Sequence, residues 1–115
     1  MFVIAIRRFV RLDREAEFLK KYRAEKSTNP DFRGETLTKI VTDEMVPDSL
    51  RGLFQVRSDC HNYLNIARWE KWESFVGLCQ MPPDSFDSDL EVAPRERIVL
   101  EVIEEVPAYK ELPNS

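Results

Sequence analysis

The segment from Phe2 to Arg11 constrains the fold more than any other part of the chain. Its Val, Ile and Phe residues alternate so that Phe2, Ile4, Ile6 and Val10 share one face of an extended strand while Val3, Ala5 and Phe9 share the other. A strand that is apolar on both faces belongs in the centre of a sheet, and that sheet needs a layer against each side. With 115 residues the chain has material for one such core and none for a second domain.

The remaining segments supply the neighbours of that strand. Asp13 is expected to cap a helix with Glu15 and Glu17 in its first turn, Ala16, Leu19 and Tyr22 at threefold spacing and Phe18 broadening the stripe, all before Pro30. Phe32 to Thr42 reads as a second strand, polar on one face through Lys39 and the threonines. Periodicity lapses between Asp43 and Asn62. There Pro47-Asp48-Ser49 opens a helical turn through Leu53, and Leu50, Leu53, Phe54 and Val56 are too apolar for a free linker.

Tyr63 to Glu70 is a third strand, with Tyr63, Asn65, Ala67 and Trp69 on one face and Leu64, Ile66 and Arg68 on the other. Trp72, Phe75, Val76 and Cys79 then form a helical stripe that Pro82-Pro83 must stop. Glu96 to Val106 alternates Ile98, Leu100 and Val102 against Val99 and Ile103 as a fourth strand. The order is βαββαβ. It predicts an α+β, ferredoxin-like domain over residues 1–106, with a long loop at 43–62 and an extended C-terminal arm at 107–115. Both helices fall on one side of an antiparallel sheet, so the other side is left for a second subunit to cover.

Charge and cysteine usage exclude several classes. Seventeen basic against twenty-one acidic residues give a net charge of -4, unsuited to a broad nucleic-acid surface. Cys60 and Cys79 are too few for a disulfide framework and form no C-x-x-C pair, which favours a reducing, cytoplasmic setting. The apolar stretch from Phe2 to Ile6 is far shorter than the roughly 20 residues of a membrane span, and Arg7 and Arg8 follow it rather than precede it as in a secretory signal. Gly-rich phosphate loops, G-x-S-x-G elbows and H-E-x-x-H helices are absent from the sequence. One histidine and two cysteines assemble no ligand set for haem or metal, so no cofactor is expected.

Two motifs carry a family resemblance. Asn29-Pro30-Asp31-Phe32-Arg33-Gly34-Glu35-Thr36-Leu37 is similar to the "hPGF.g..L" lead-in to the second strand of the antibiotic biosynthesis monooxygenase-like proteins. Tyr63-Leu64-Asn65-Ile66-Ala67-Arg68-Trp69-Glu70, followed by Trp72-Glu73-Ser74-Phe75, resembles their "y.nvarWeS.eaF" third strand and helix. The resemblance implies a dimeric α+β barrel in which two sheets pair face to face. Members range from oxygenases without metal or flavin to haem degraders, so the fold alone fixes no reaction. In the quinone-forming oxygenases an Asn and a Trp four residues apart line the substrate cavity, which Asn65 and Trp69 match. Those enzymes also carry a Tyr six residues after the Trp, where this chain has Phe75. Of the haem-degrading pattern (an Asn on the first strand, a Trp on the third and a His on the next helix), Trp69 alone is present.

The resemblance therefore implies a cofactor-independent monooxygenase or related enzyme for an aromatic or polycyclic metabolite. Asn65 would be the donor to an anionic oxygen and Trp69 the wall, with Tyr63, Ala67, Trp72 and Phe75 around the substrate. His61 is the one side chain that titrates near neutrality unperturbed, which makes it a candidate base, although a histidine at a strand end is more often solvated. Asn65 equally reads as a residue that bonds a neighbouring strand, and Trp69, Trp72 and Phe75 as core. The alternative function is a non-catalytic homodimer that binds a hydrophobic small molecule or serves as a structural partner.

Overall fold

The computed structural model describes residues 1–24, 26–41, 45–50, 56–76 and 85–109. Its elements follow the expected order: β1 (Phe2–Arg11), α1 (Glu15–Lys21), β2 (Phe32–Lys39), a 3₁₀ turn at Asp48–Leu50, β3 (Cys60–Trp69), α2 (Trp72–Val76) and β4 (Glu96–Glu101). The strands form one four-stranded sheet in the order β2-β3-β1-β4, and every neighbouring pair is antiparallel. This is the ferredoxin-like arrangement, with β1 central as its two apolar faces require. β1 and β3 pair over their whole length, from Phe2 opposite Trp69 to Arg11 opposite Cys60.

Several boundaries differ from the expectation for identifiable reasons. Asp13 does not cap α1. The chain enters the helix through a turn in which the Arg14 N–H donates to the Arg11 carbonyl (3.0 Å), and the N-cap position falls to Arg14, which makes no side-chain cap bond. Ala16 is exposed, and α1 turns Phe18 inward instead, fully buried with its ring 4.9 Å from Tyr63 and 5.3 Å from Tyr22. β3 begins at Cys60, three residues early, because Cys60, His61 and Asn62 continue the ladder with β1.

β2 stops at Lys39, and its start is bent by a bulge between Phe32 and Glu35. Gly34 sits in that bulge at φ +110°, a conformation that side chains disfavour even where space is open around it. β4 stops at Glu101; residues 102–109 have no regular structure. Leu53, Phe54, Cys79 and Pro82-Pro83 lie outside the described residues, as does the end of the expected arm.

α2 is a single short helix whose rotation is set by Ser74 Oγ, which donates to Asp31 Oδ2 at 2.6 Å. That bond turns Ser74 and Phe75 toward the sheet and leaves Trp72 38% and Val76 47% exposed, so among the described residues the expected stripe reduces to Phe75 and the core reading of Trp72 fails. The segment before β4 is more ordered in its contacts than its acidic composition suggested. Leu90 and Glu91 are buried, the Leu90 carbonyl accepts from Arg11 N, Val92 N donates to the Phe9 carbonyl, and Glu91 bridges Val10 ahead of the start of β4.

Both helices pack on one face. The opposite face presents Val3, Ala5, Leu64, Ile66, Ile98 and Leu100 around an open groove of about 600 Å³, with Ile98 55% and Leu100 45% exposed. No helix among the described residues is long and apolar enough to cross a membrane. Phe18 anchors α1 to the sheet, and truncating a fully buried Phe costs about 3–5 kcal/mol in lost burial and cavity formation. Phe18→Ala is expected to lower the unfolding free energy by that order in a denaturant titration. A change under ~1 kcal/mol would show that α1 is not held by this contact.

Candidate functional site

The antiparallel register decides which side chains meet beneath the helices. Opposed residues share a face, so Ile4, Ile6, Arg8 and Val10 of β1 lie with Ala67, Asn65, Tyr63 and His61 of β3, and Leu37 and Lys39 of β2 join them. Trp69, Ala67 and Ile4 form one buried cluster with Ile6, Phe32 and Phe75 packed against it. Phe32 meets the Trp69 ring edge-on at 5.2 Å, and Phe75 lies at 6.1 Å. The two sequence motifs are thereby joined: Asn29 Oδ1 accepts from Asp31 N, the Asp31 carbonyl accepts from Glu70 N, and the Asp31 carboxylate holds Ser74.

Asn65 is 4% exposed, and its Oδ1 accepts a 3.0 Å hydrogen bond from Arg8 Nε. The bond between neighbouring strands is therefore present, and it orients the amide. With the oxygen engaged, Nδ2 is left as a donor that has no hydrogen-bond partner among the described residues. Ala67, the smallest residue on this stretch of β3, separates Asn65 from Trp69, whose Nε1 is buried and likewise without a partner. Unpaired buried donors are uncommon because each forfeits a hydrogen bond it made to water. Asn65, Ala67, Trp69 and Phe75 are thus one locus, from which Trp72 is absent.

His61 and Tyr63 belong to a second polar group nearer α1. Glu15 Oε2 accepts from Tyr63 Oη (2.8 Å) and Lys39 Nζ (2.5 Å) and lies 3.4 Å from His61 Nδ1. The Lys39 bond foremost, then the Tyr63 hydroxyl and the His61 charge, hold the Glu15 carboxyl below its ordinary value against the opposing effect of burial. Burial first, and then the Glu15 carboxylate, push the Tyr63 phenol above its ordinary range. Tyr63 and Lys39 also border a cleft of about 740 Å³ between the end of α1 and β2. Four residues of strand, roughly 13 Å, separate His61 from Asn65. His61 and Asn65 are therefore not brought together.

Sequence reasoning missed a third group. Arg8 projects into the interior, its guanidinium carbon 4.7 Å from the Tyr22 ring centroid and 5.9 Å from that of Phe18. Burial foremost, then the charge of Arg95, draws its pKa below the ordinary arginine value. Glu91, 0% exposed, is clasped by Arg95 through two 3.0 Å hydrogen bonds and accepts a third from Asp87 N. The available signal was Arg8 itself, a charged residue on the otherwise apolar face of β1. Cys60 points to the opposite face from His61, and no group of three or more His, Cys, Asp or Glu among the described residues is placed to hold a metal ion.

The architecture is that of a ferredoxin-like α+β domain. The chain superposes over 96% of its length on 98% of the crystal structure of a "putative antibiotic biosynthesis monooxygenase" from Bacillus cereus, with a TM-score of 0.57 and 14% sequence identity. No protein-family model and no curated protein matches the sequence.

The Glu15 network yields a pH prediction. A carboxylate whose folded pKa is depressed contributes stability fully above the unfolded value, here about 4.5, and loses it as pH falls through the folded value. Glu15→Gln should melt below the wild type at neutral pH, and the gap should close as pH falls below about 4.5. A gap that stays constant from pH 7 to pH 3 would mean that Glu15 is not ionised in this network.

Proposed function

We propose that the protein is a homodimeric, cofactor-independent oxygenase that acts on an aromatic or polycyclic phenol bound between the sheet and the helices. The observation that carries this reading is Asn65: buried, oriented by Arg8 through its oxygen, with an amide nitrogen that has no hydrogen-bond partner among the described residues, two positions along β3 from Ala67 and four from the buried Trp69 ring. The likeness to the Bacillus cereus structure is consistent with it. The substrate's phenolic oxygen sits on Asn65 Nδ2, which stabilises the anion as the proton leaves. The resulting enolate gives one electron to dioxygen, and the substrate radical and superoxide join as a carbon-bound peroxide. That peroxide takes up a proton and eliminates water, so a CH₂ group and O₂ become C=O and H₂O with no external reductant.

His61 lies too far along β3 to take the proton at Asn65 and is assigned to the Glu15 network. Trp69, Phe32 and Phe75 keep the ring system dry and flat against the sheet. Asn65→Ala should retain its fold and bind ligand within a few-fold, yet lose on the order of 100-fold in oxygen uptake with an anthrone, whereas Trp69→Phe should mainly weaken binding. Normal turnover by Asn65→Ala, or no oxygen uptake by the wild type, removes the catalytic assignment and leaves the ligand-binding reading.

The dimer is proposed from the open face. A groove bordered by Ile66, Ile98 and Leu100 calls for an apolar cover, and an isologous pairing of two sheets supplies one without further chain. Light scattering after size exclusion should give twice the chain mass. Ile66→Asp should give a monomer or an unfolded chain, because the pairing would bury an unpaired carboxylate. A wild-type monomer at micromolar concentration refutes the pairing.

A further inference from the structure

The face beneath the helices contains a guanidinium that no ion pair among the described residues neutralises. Arg8 forms no ion pair among the described residues, and its Nη1 is buried without a hydrogen-bond partner. Two carboxylates of this region, Glu91 and Glu15, are engaged elsewhere. Glu91 gives both oxygens to Arg95. Glu15 receives Lys39 and Tyr63. The charges of Glu91 and, more weakly, Glu35 reach Arg8 without an ion pair. The guanidinium lies against the Tyr22 and Phe18 rings and the Asn65 amide, none of which carries a negative charge. Partial burial of a cation without an ion pair is costly, and a guanidinium with an unused N–H group beside an amide donor is a ready receptor for an oxyanion.

The geometry points to an anion subsite at Arg8 and Asn65, so that the ligand of this interior is an aromatic acid whose carboxylate or phenolate oxygen is seated on the Arg8 guanidinium. The inference rests on the proposal that an aromatic molecule occupies this interior, and it narrows that molecule's class. Asn65 Oδ1 fixes the guanidinium plane through Nε, and covalent geometry keeps Nδ2 beside it. The Tyr22 ring, flanked by Arg8 at 4.7 Å and Arg95 at 5.1 Å, keeps both cations in place while the Arg95 charge is cancelled by Glu91. Arg95 is thereby structural, and Arg8 is left available.

Calorimetric titration with 2-naphthoate and its neutral counterpart 2-naphthalenemethanol separates charge recognition from ring burial. Wild-type protein should bind the acid at least about tenfold more tightly than the alcohol, because the site's buried donors are unpaired by the neutral analogue. Arg8→Gln should bind both alike, and Arg8→Lys should keep a reduced preference. Should Arg8→Gln fail to fold by circular dichroism, the wild-type Arg8 Nε–H resonance decides: it should move on saturation with naphthoate and not with the alcohol. Equal affinities, no acid binding up to about 1 mM, a preference that survives in Arg8→Gln, or an unmoved Arg8 resonance overturns the subsite. Oxygen uptake plays no part in the measurement. Selective acid binding by a protein that consumes no oxygen upholds Arg8 and refutes the oxygenase, and oxygen uptake without acid preference does the reverse.

Discussion

Everything in this domain depends on the unbroken ladder between β1 and β3. The two strands pair from Phe2–Trp69 to Arg11–Cys60 without a bulge, so the alternation of one is locked to that of the other. A slip of one residue would bring Leu64 and Ile66 under the helices and turn Asn65 and Trp69 outward. The apolar character of Ile4, Ala67 and Trp69, joined by Phe75 from α2, is what forbids the slip. The same lock carries Arg8 inward, since position 8 has the parity of Ile4, Ile6 and Val10. The polar interior is thus a consequence of the register that builds the core.

The two faces of the sheet divide polarity in an unusual way. The face covered by helices holds Arg8, Asn65 and, at its end, the Glu15 group, whereas the open face is apolar around Leu64, Ile66, Ile98 and Leu100. A small domain normally buries its apolar surface and exposes its charges. Here Arg7 supplies polarity at one end of the open face, where its Nη2 donates to Asn62 Oδ1 at 3.0 Å, but the centre of that face stays bare. Burying charge on one side and exposing hydrocarbon on the other both oppose stability in an isolated chain. The arrangement is coherent when the exterior face is read as assembly and the interior as recognition.

Strand parity was legible because a period of two leaves no freedom. The sides taken by Tyr63, Asn65, Ala67 and Trp69, the central place of β1, the element order and the apolar second face all follow from it. The helices were less legible. Each is short, so one contact sets its rotation: Phe18 for α1, and the Ser74 bond to Asp31 for α2, which outweighed the apolar stripe through Trp72. Glu91 and Arg95 were not legible at all. They stand in an acidic, aperiodic stretch whose composition suggests a solvated loop, and their burial depends on the long-range bonds of Leu90 and Val92 to β1. Arg8 lay in plain view in the alternation, with the parity of Ile4, Ile6 and Val10.

Tyr63 explains why Arg8 and the Glu15 group stay apart. Its Cα stands opposite Arg8, yet its ring packs on Phe18 and its hydroxyl donates to Glu15. The tyrosine therefore directs its hydrogen bond toward α1 and sets an aromatic ring, not an acceptor, beside Arg8. A carboxylate at this position of β3 would pair with Arg8 and close the subsite. With tyrosine there, Glu15 is held by Lys39 and Tyr63, and Arg8 keeps its charge for whatever enters from outside the chain. On the proposed chemistry this separation also answers how a phenol ionises without His61 at hand. A fixed cation and an amide donor at the same oxygen lower the substrate's own pKa, and the proton then needs an acceptor no stronger than water.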